Sequence, residues 1–287
     1  MQKLKNILEL IVFKHSIFAL PFLLVSMLSA IKLYDLSFND IWLKFILALL
    51  CAVSARNYAM ALNRLLDADI DILNERTKNR PSVDGRVGRF NLALFIIANA
   101  CIFVLLAYFI NELCFYLSFF TLILLGSYSL FKRFSYLAHI ILGLSLGFAC
   151  IAGEIVLTNS VSSYSIALCF AVCFWTAGFD CLYALQDLEF DKNQELFSIP
   201  SCFGEKATLF IAAIFHLIAF LFWLVFLASV NVGFYAYLGL IIVGLMLILE
   251  HIIVRKNTKN IERAFFDINA FISILFLVFF IIDLKVS

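Results

Sequence analysis

Nine apolar segments, each close to the length a helix needs to cross a bilayer, limit this chain more than any other feature. Cutting the sequence at charged or turn-forming clusters leaves runs near 16–34, 41–62, 90–110, 113–131, 136–157, 161–182, 208–230, 232–250 and 264–282. A spanning helix takes about 20 residues. No alternation of apolar and polar residues suggests a barrel, so helices must satisfy the backbone in lipid. Hydrophobic residues make up 64% of the 287 and charged residues 14%, with three prolines, unlike a soluble domain. The expectation is an all-α, polytopic bundle of nine transmembrane helices in one domain spanning 1–287. The run after Lys14 resembles a signal peptide. Eight further spans follow and no small-residue cleavage site is evident, so it reads as the first transmembrane helix.

The net charge of +1 hides a strong asymmetry. If the N-terminus is cytoplasmic, the inner segments hold Lys3, Lys5, Lys14, Arg64, Arg76, Lys78, Arg80, Arg86, Arg89, Lys132, Arg133, Lys192, Lys206, Arg255, Lys256, Lys259 and Arg263. That is 17 of the 21 basic residues, while turns such as Asn111-Glu112 and Asn231-Val232-Gly233 hold none. This fits the positive-inside rule and predicts a multi-pass protein of the cytoplasmic (inner) membrane.

Two acidic clusters then face the cytoplasm. Asn63, Asp67 and Asp71 are spaced i, i+4, i+8, so on a helix they stack on one face about 6 Å apart. Asp69 falls about 200° from Asp67 and points elsewhere. Downstream, Asp187 and Asp191 repeat the spacing, and Asp180, seven residues before Asp187, returns to the same face. Tyr128 and Lys132 are again i, i+4, with Arg133 next. Glu154, near the outer end of its span, reads as a snorkelling or paired structural acid. Gly143, Gly147 and Gly153 would allow close helix packing. The eight cysteines read as buried hydrophobes, His15 as an interfacial histidine, and the scattered His139, His216 and His251 suggest no metal site. The last three spans read as plain wall.

Hard oxygen ligands in two clusters, interleaved with arginine and lysine, suit a magnesium-bound phosphate group. Magnesium takes a few carboxylates plus phosphate oxygens and water, and guanidinium forks pair with the remaining oxygens. Aspartates alone would repel a diphosphate; two divalent ions would bring about +4, and Arg76, Arg80, Lys132 and Arg133 would balance more.

Asn63-x-x-x-Asp67-x-x-x-Asp71 with Arg76-Thr77-x-x-Arg80-Pro81, then Tyr128-x-x-x-Lys132, then Tyr183-Ala184-x-x-Asp187-x-x-x-Asp191, resembles the UbiA superfamily of intramembrane aromatic prenyltransferases. The resemblance covers essentially the whole chain. It implies transfer of a prenyl chain from a polyprenyl diphosphate to an aromatic acceptor. Asn63, Asp67, Asp71, Asp187 and Asp191 would hold Mg2+ and diphosphate, and Arg76, Arg80 and Lys132 would contact the diphosphate. Tyr128, Arg133, Tyr183 and, as a weaker carry-over, Asp180 join the substrate-binding candidates. Arg64 after Asn63, where 4-hydroxybenzoate polyprenyltransferases often have Asp, and the Phe179-Asp180 pair are similar to a 4-hydroxybenzoate polyprenyltransferase-like branch. Some members of that branch act on a dihydroxynaphthoate. The acceptor is therefore expected to be a hydroxylated aromatic acid of quinone biosynthesis, with the ring left open and no nucleic-acid partner. Two competing readings are a CDP-alcohol phosphotransferase, whose Asp-Gly-x-x-Ala-Arg opening is absent before Asp67, and a cation transporter. A transporter's acids would line a pathway rather than gather at one mouth.

Overall fold

The structure, a computed structural model, describes residues 9–10, 18–256 and 261–286, with side chains in the last stretch from residue 267 onward. Lys3, Lys5, Lys14, His15 and Lys259, and the side chain of Arg263, lie outside the described residues. Among the described residues all regular structure is helical: α1 (Leu20–Tyr34), α2 (Phe38–Leu66), α3 (Ala68–Asp71), α4 (Arg89–Ile110), α5 (Glu112–Phe131), α6 (Ala138–Thr158), α7 (Ser163–Ala184), α8 (Leu188–Asn193), α9 (Ile199–Val230), α10 (Phe234–Lys256) and α11 (Ile261–Val286). Among the described residues, eight helices are long and apolar enough to cross a membrane. The apolar α1 has 15 described residues, about 22 Å at 1.5 Å per residue.

Turns follow local chemistry. Asp35, Asn159 and Asn231 adopt the left-handed conformation at helix C-termini, where asparagine and aspartate tolerate it. The Asn111 side chain accepts from Cys114 N–H at the start of α5. Two boundaries differ from the sequence expectation. α9 starts at Ile199 rather than near 208, because Ser198 and Ser201 form a reciprocal capping box and Pro200 sits in the first turn. Gly204, at φ +80° and ψ 172°, is non-helical and kinks α9, so a short helix from Ile199 meets the long spanning helix there, in a conformation where another residue would be strained. α10 continues past Glu250 to Lys256, so the polar pair Glu250-His251 lies inside a helix.

The axis of the packing is α7. Of its most apolar 18-residue stretch, 78% is buried, against 17% for that of α5. α6 approaches it closely because a methyl on Gly143 or Gly147 would overlap the carbonyl oxygen of Cys173 or Cys169. Gly153 likewise meets the backbone of α1 at Leu23. On one side of α1, Phe22 packs against Trp175, Trp223 and Phe276 with ring centroids 5.2, 5.8 and 5.6 Å apart. That side, built from α7 and α9 to α11, is solid. The other side of α1 faces a cavity of about 220 Å³ enclosed with α2, α4, α5 and α6.

Glu154 is fully buried and satisfied: Ser162 N–H donates at 2.9 Å, Tyr34 at 3.2 Å, and the Ser162 and Ser165 hydroxyls also donate. It is a paired structural acid, as its sequence position implied. All eight cysteines are free thiols, five of them buried.

Candidate active site

Each acidic cluster forms where a helix breaks. α2 runs to Leu66, Asp67 takes φ −94°, ψ 4°, and α3 resumes at Ala68. α7 ends at Ala184, a 3-10 turn covers Leu185–Asp187, Asp187 takes φ −100°, ψ 6°, and α8 resumes at Leu188. Both aspartates occupy the same sparsely populated bridge region. The continuous helix expected to stack Asp180, Asp187 and Asp191 on one face is therefore absent. Asp180 turns to His139, with Oδ2 2.7 Å from Nδ1.

The first ladder survives the break in part. Asn63 Nδ2 donates to Asp67 Oδ2 at 2.8 Å and to Ser129 Oγ at 3.0 Å, while Arg64 holds its Oδ1 at 3.0 Å. Lys132 Nζ, from the turn after α5, also donates to Asp67 Oδ2 at 2.7 Å. Asp67 is 3% exposed, and its Oδ1 is buried and accepts no hydrogen bond. Burial pushes this carboxyl above the usual range, opposed by Lys132. Asp71 instead turns to Arg80, whose Nη1 lies 2.7 Å from both carboxylate oxygens. Thr77 Oγ1 ties the basic loop back by donating to Asp71 O at 2.9 Å.

The basic loop also crosses to the second cluster. Arg76 donates through Nε to Asp187 Oδ1 at 3.1 Å and through Nη2 to Oδ2, a forked pair, and through Nη1 to Tyr183 at 3.1 Å. Its guanidinium lies 5.4 Å from the Tyr183 ring centroid. Asn74 Nδ2 donates to the same Asp187 oxygen at 2.9 Å while its Oδ1 accepts from Arg76 N–H. Asp191 accepts from Ser198 Oγ at 2.9 Å. The two clusters, more than a hundred residues apart in sequence, are thus one connected site.

Arg133 forks onto Asp69 at 2.7 and 3.0 Å and donates to Leu66 O. These bonds hold the Asp69 carboxyl below the usual range. Asp69 does point away from the ladder, as its 200° offset predicts. Three contributors escaped the sequence reading. Asn74 lay within reach of it, since position 74 is seven residues from Asp67 and returns to the same helical face. His139 and Ser198 carry no comparable local signal. His216 and His251, expected to be scattered, meet with Nδ1 and Nε2 3.0 Å apart. Nor are the last helices plain wall: Trp175 Nε1 donates to Asn269 and Asn269 Nδ2 to Glu250, all buried.

No three His, Cys, Asp or Glu side chains among the described residues converge closely enough to hold a metal alone. The donor set still fits magnesium, which completes its shell with substrate oxygens and water. The buried, unpartnered Asp67 Oδ1 is an available hard ligand whose charge a cation would relieve.

One end of the cavity lies next to this site. Arg56, Met60 and Tyr128 line its polar end, a turn of helix from Asn63 and Lys132, and Ile110, Cys114 and Ile155 its far end. From Tyr128 to Cys114 the chamber follows α5 for about 21 Å. Arg56 is the one charged residue among those lining it.

Comparisons with known proteins agree with this architecture. The chain is 28% identical over 212 residues to the 4-hydroxybenzoate octaprenyltransferase of Marinobacter nauticus, covering 73% of this chain and 71% of the relative. It is 27% identical over 214 residues to the protein of that name from Francisella tularensis subsp. novicida, covering 74% and 75%. A UbiA homolog from Aeropyrum pernix K1, solved in its apo form, superposes with a TM-score of 0.85 at 28% identity over 94% of this chain and 98% of that one. A UbiA homolog from Archaeoglobus fulgidus bound to DMAPP and Mg2+ shares the fold, with a TM-score of 0.71 at 21% identity over 98% and 100%. Residues 19–275 match the UbiA prenyltransferase family, so the chain is a multi-pass membrane protein belonging to that family.

Proposed function

We propose that this protein is a magnesium-dependent aromatic polyprenyltransferase, moving a polyprenyl group from its diphosphate to a hydroxylated aromatic acid, 4-hydroxybenzoate in the first instance. The observation behind this reading is the meeting of two opposite environments: paired carboxylates and cations about a helical turn beyond the polar end of a long apolar chamber. A prenyl diphosphate has the same division. The relatives named as 4-hydroxybenzoate octaprenyltransferases support the acceptor class.

Asn63, Asp67, Asp71, Asp187 and Asp191 would hold Mg2+, which when bound supplies Lewis-acid neutralisation of the diphosphate. Arg76, Arg80 and Lys132 now neutralise carboxylates. They would transfer those hydrogen bonds to diphosphate oxygens and stabilise the charge that grows there as the allylic carbon–oxygen bond breaks. The tail lies in the chamber, and Tyr128, one helical turn from Lys132, offers its ring to the allylic cation. Arg56 offers the acceptor's carboxylate a counter-charge. The electron-rich ring carbon attacks, the new carbon–carbon bond forms, and the ring loses its proton. Asp180 and Arg133 stand outside this set, since their nearest partners are His139 and Asp69.

We read the site as facing the cytoplasm across the inner membrane, because the basic segments gather at the motif end and positive charge is retained inside. Cys202, exposed near the start of α9, should react with an impermeant maleimide in inverted vesicles and not in intact cells. The deciding experiment offers purified protein, Mg2+ and a polyprenyl diphosphate both 4-hydroxybenzoate and 1,4-dihydroxy-6-naphthoate, reading products by mass. Prenylated 4-hydroxybenzoate is expected. Product from the naphthoate alone would move the enzyme to a menaquinone-type route, and uncleaved diphosphate with either acceptor would overturn the reading.

A further inference from the structure

Three consecutive residues before and at the start of α9 bond to three different parts of the site. Phe197 N–H donates to Lys132 O at 2.7 Å. Ser198 Oγ donates to Asp191 Oδ2 at 2.9 Å. Ile199 N–H donates to His139 Nε2 at 3.2 Å, and His139 Nδ1 lies 2.7 Å from Asp180 Oδ2. Because Nε2 accepts an amide proton it carries none of its own, so the ring proton is on Nδ1 and donates to Asp180. His139, Ser198 and Ile199 are 4%, 6% and 4% exposed, so water cannot readily replace these bonds.

We propose that residues 197–199 form a strap that sets the relative position of the two acidic clusters, with His139 and Asp180 as the positioning residues that anchor it. The strap holds Asp191 of the second cluster directly. It holds the first through the Lys132 backbone, whose side chain reaches Asp67. Its far end is rigid because Ser198 and Ser201 cap α9, and its near end leaves α8 through Glu195, which is at φ +53°, and a Leu196 N–H to Asp191 O bond of 2.8 Å. Neither His139 nor Asp180 lines the chamber. Their effect is therefore confined to the diphosphate end and leaves the acceptor's position alone. This inference rests on the functional reading above and deepens it.

The test compares His139→Leu, which removes both bonds, with His139→Gln, whose carboxamide presents a donor and an acceptor on one planar group. His139→Leu should raise the KM for polyprenyl diphosphate about tenfold, as expected for loss of the one buried hydrogen bond that reaches the strap, from Ile199 N–H, and leave the acceptor KM within about twofold. His139→Gln should restore the donor KM. Hydrogen exchange at the Phe197 and Ile199 amides should be slow in the wild type and fast in His139→Leu. An unchanged donor KM, an equal rise for the acceptor, or a fall in kcat alone would overturn the proposal. If His139→Leu does not fold, Ser198→Ala decides, with a donor KM raised about threefold expected and an unchanged one overturning it. A wild-type protein that transfers no prenyl group would sink the functional reading. Amide exchange would then decide the strap, with equal rates in wild type and variant counting against it.

Discussion

The two sides of α1 solve opposite problems with the same kind of residue. Toward α7 and α9 to α11, large rings fill space: Phe22, Trp175, Trp223, Phe226, Phe276 and Phe280 are each at most 2% exposed. Toward α2, α4, α5 and α6, small residues leave space: Ala48, Ala52, Ala55, Ala59, Ala107, Ala149 and Ala152 line the chamber. The solid side fixes α7, and through it the second acidic cluster. The hollow side presents the first cluster at the rim of a void. Volume, more than hydrophobicity, separates scaffold from binding space here.

The largest way to break this comparison acts where the sides meet. Asp67→Ala or Asp191→Ala should lower transfer by about 10³-fold or more while the protein still folds and inserts. Near-normal turnover measured by product mass would contradict the assignment. Next, Ala55→Trp fills the chamber and should cost about 100-fold with a long polyprenyl donor through a misplaced tail. The loss should be much smaller with a short donor, with thermal stability unchanged, and equal losses for both donors would show that the chamber does not hold the tail. Within the solid side, Trp175→Phe and Trp223→Phe remove the same indole portion. Only Trp175 Nε1 has a partner, Asn269 at 2.9 Å, whereas Trp223 Nε1 is buried and makes no hydrogen bond. Thermal unfolding in detergent should show Trp175→Phe less stable than Trp223→Phe by about 1–3 kcal/mol. The smallest effect concerns Asp69, whose pair with Arg133 lies at the surface. Its depressed carboxyl contributes stability at neutral pH that is lost as pH falls through the carboxylate range. Asp69→Asn should cost less than about 1 kcal/mol and flatten that acid limb.

Much of this architecture was legible because its signals are local. Segment length marked the helices, and i, i+4 spacing marked Asn63, Asp67, Asp187 and Asp191. The same logic failed wherever a partner arrives from far along the chain. His139 and Asp180 are 41 residues apart, and Asn74 and Asp187 are 113 apart. Helical spacing also could not foresee the breaks at Asp67 and Asp187, the second of which takes Asp187 and Asp191 off the helical face that Asp180 occupies. The early start of α9 was hidden because Gly204 and Lys206 look like loop. The Ser198–Ser201 box starts a helical stretch before them, and Gly204, itself non-helical, is the kink that joins it to the long helix beyond.

The forked and bridged pairs at the mouth have a further consequence. Arg76, Arg80 and Lys132 are already matched to the protein's own carboxylates, so on the proposed reading donor binding would be an exchange of anions and the site its own competitor. Dissolved salt weakens the resident pairs and the incoming ones together. Donor affinity should then vary less with ionic strength than three bare cations would dictate.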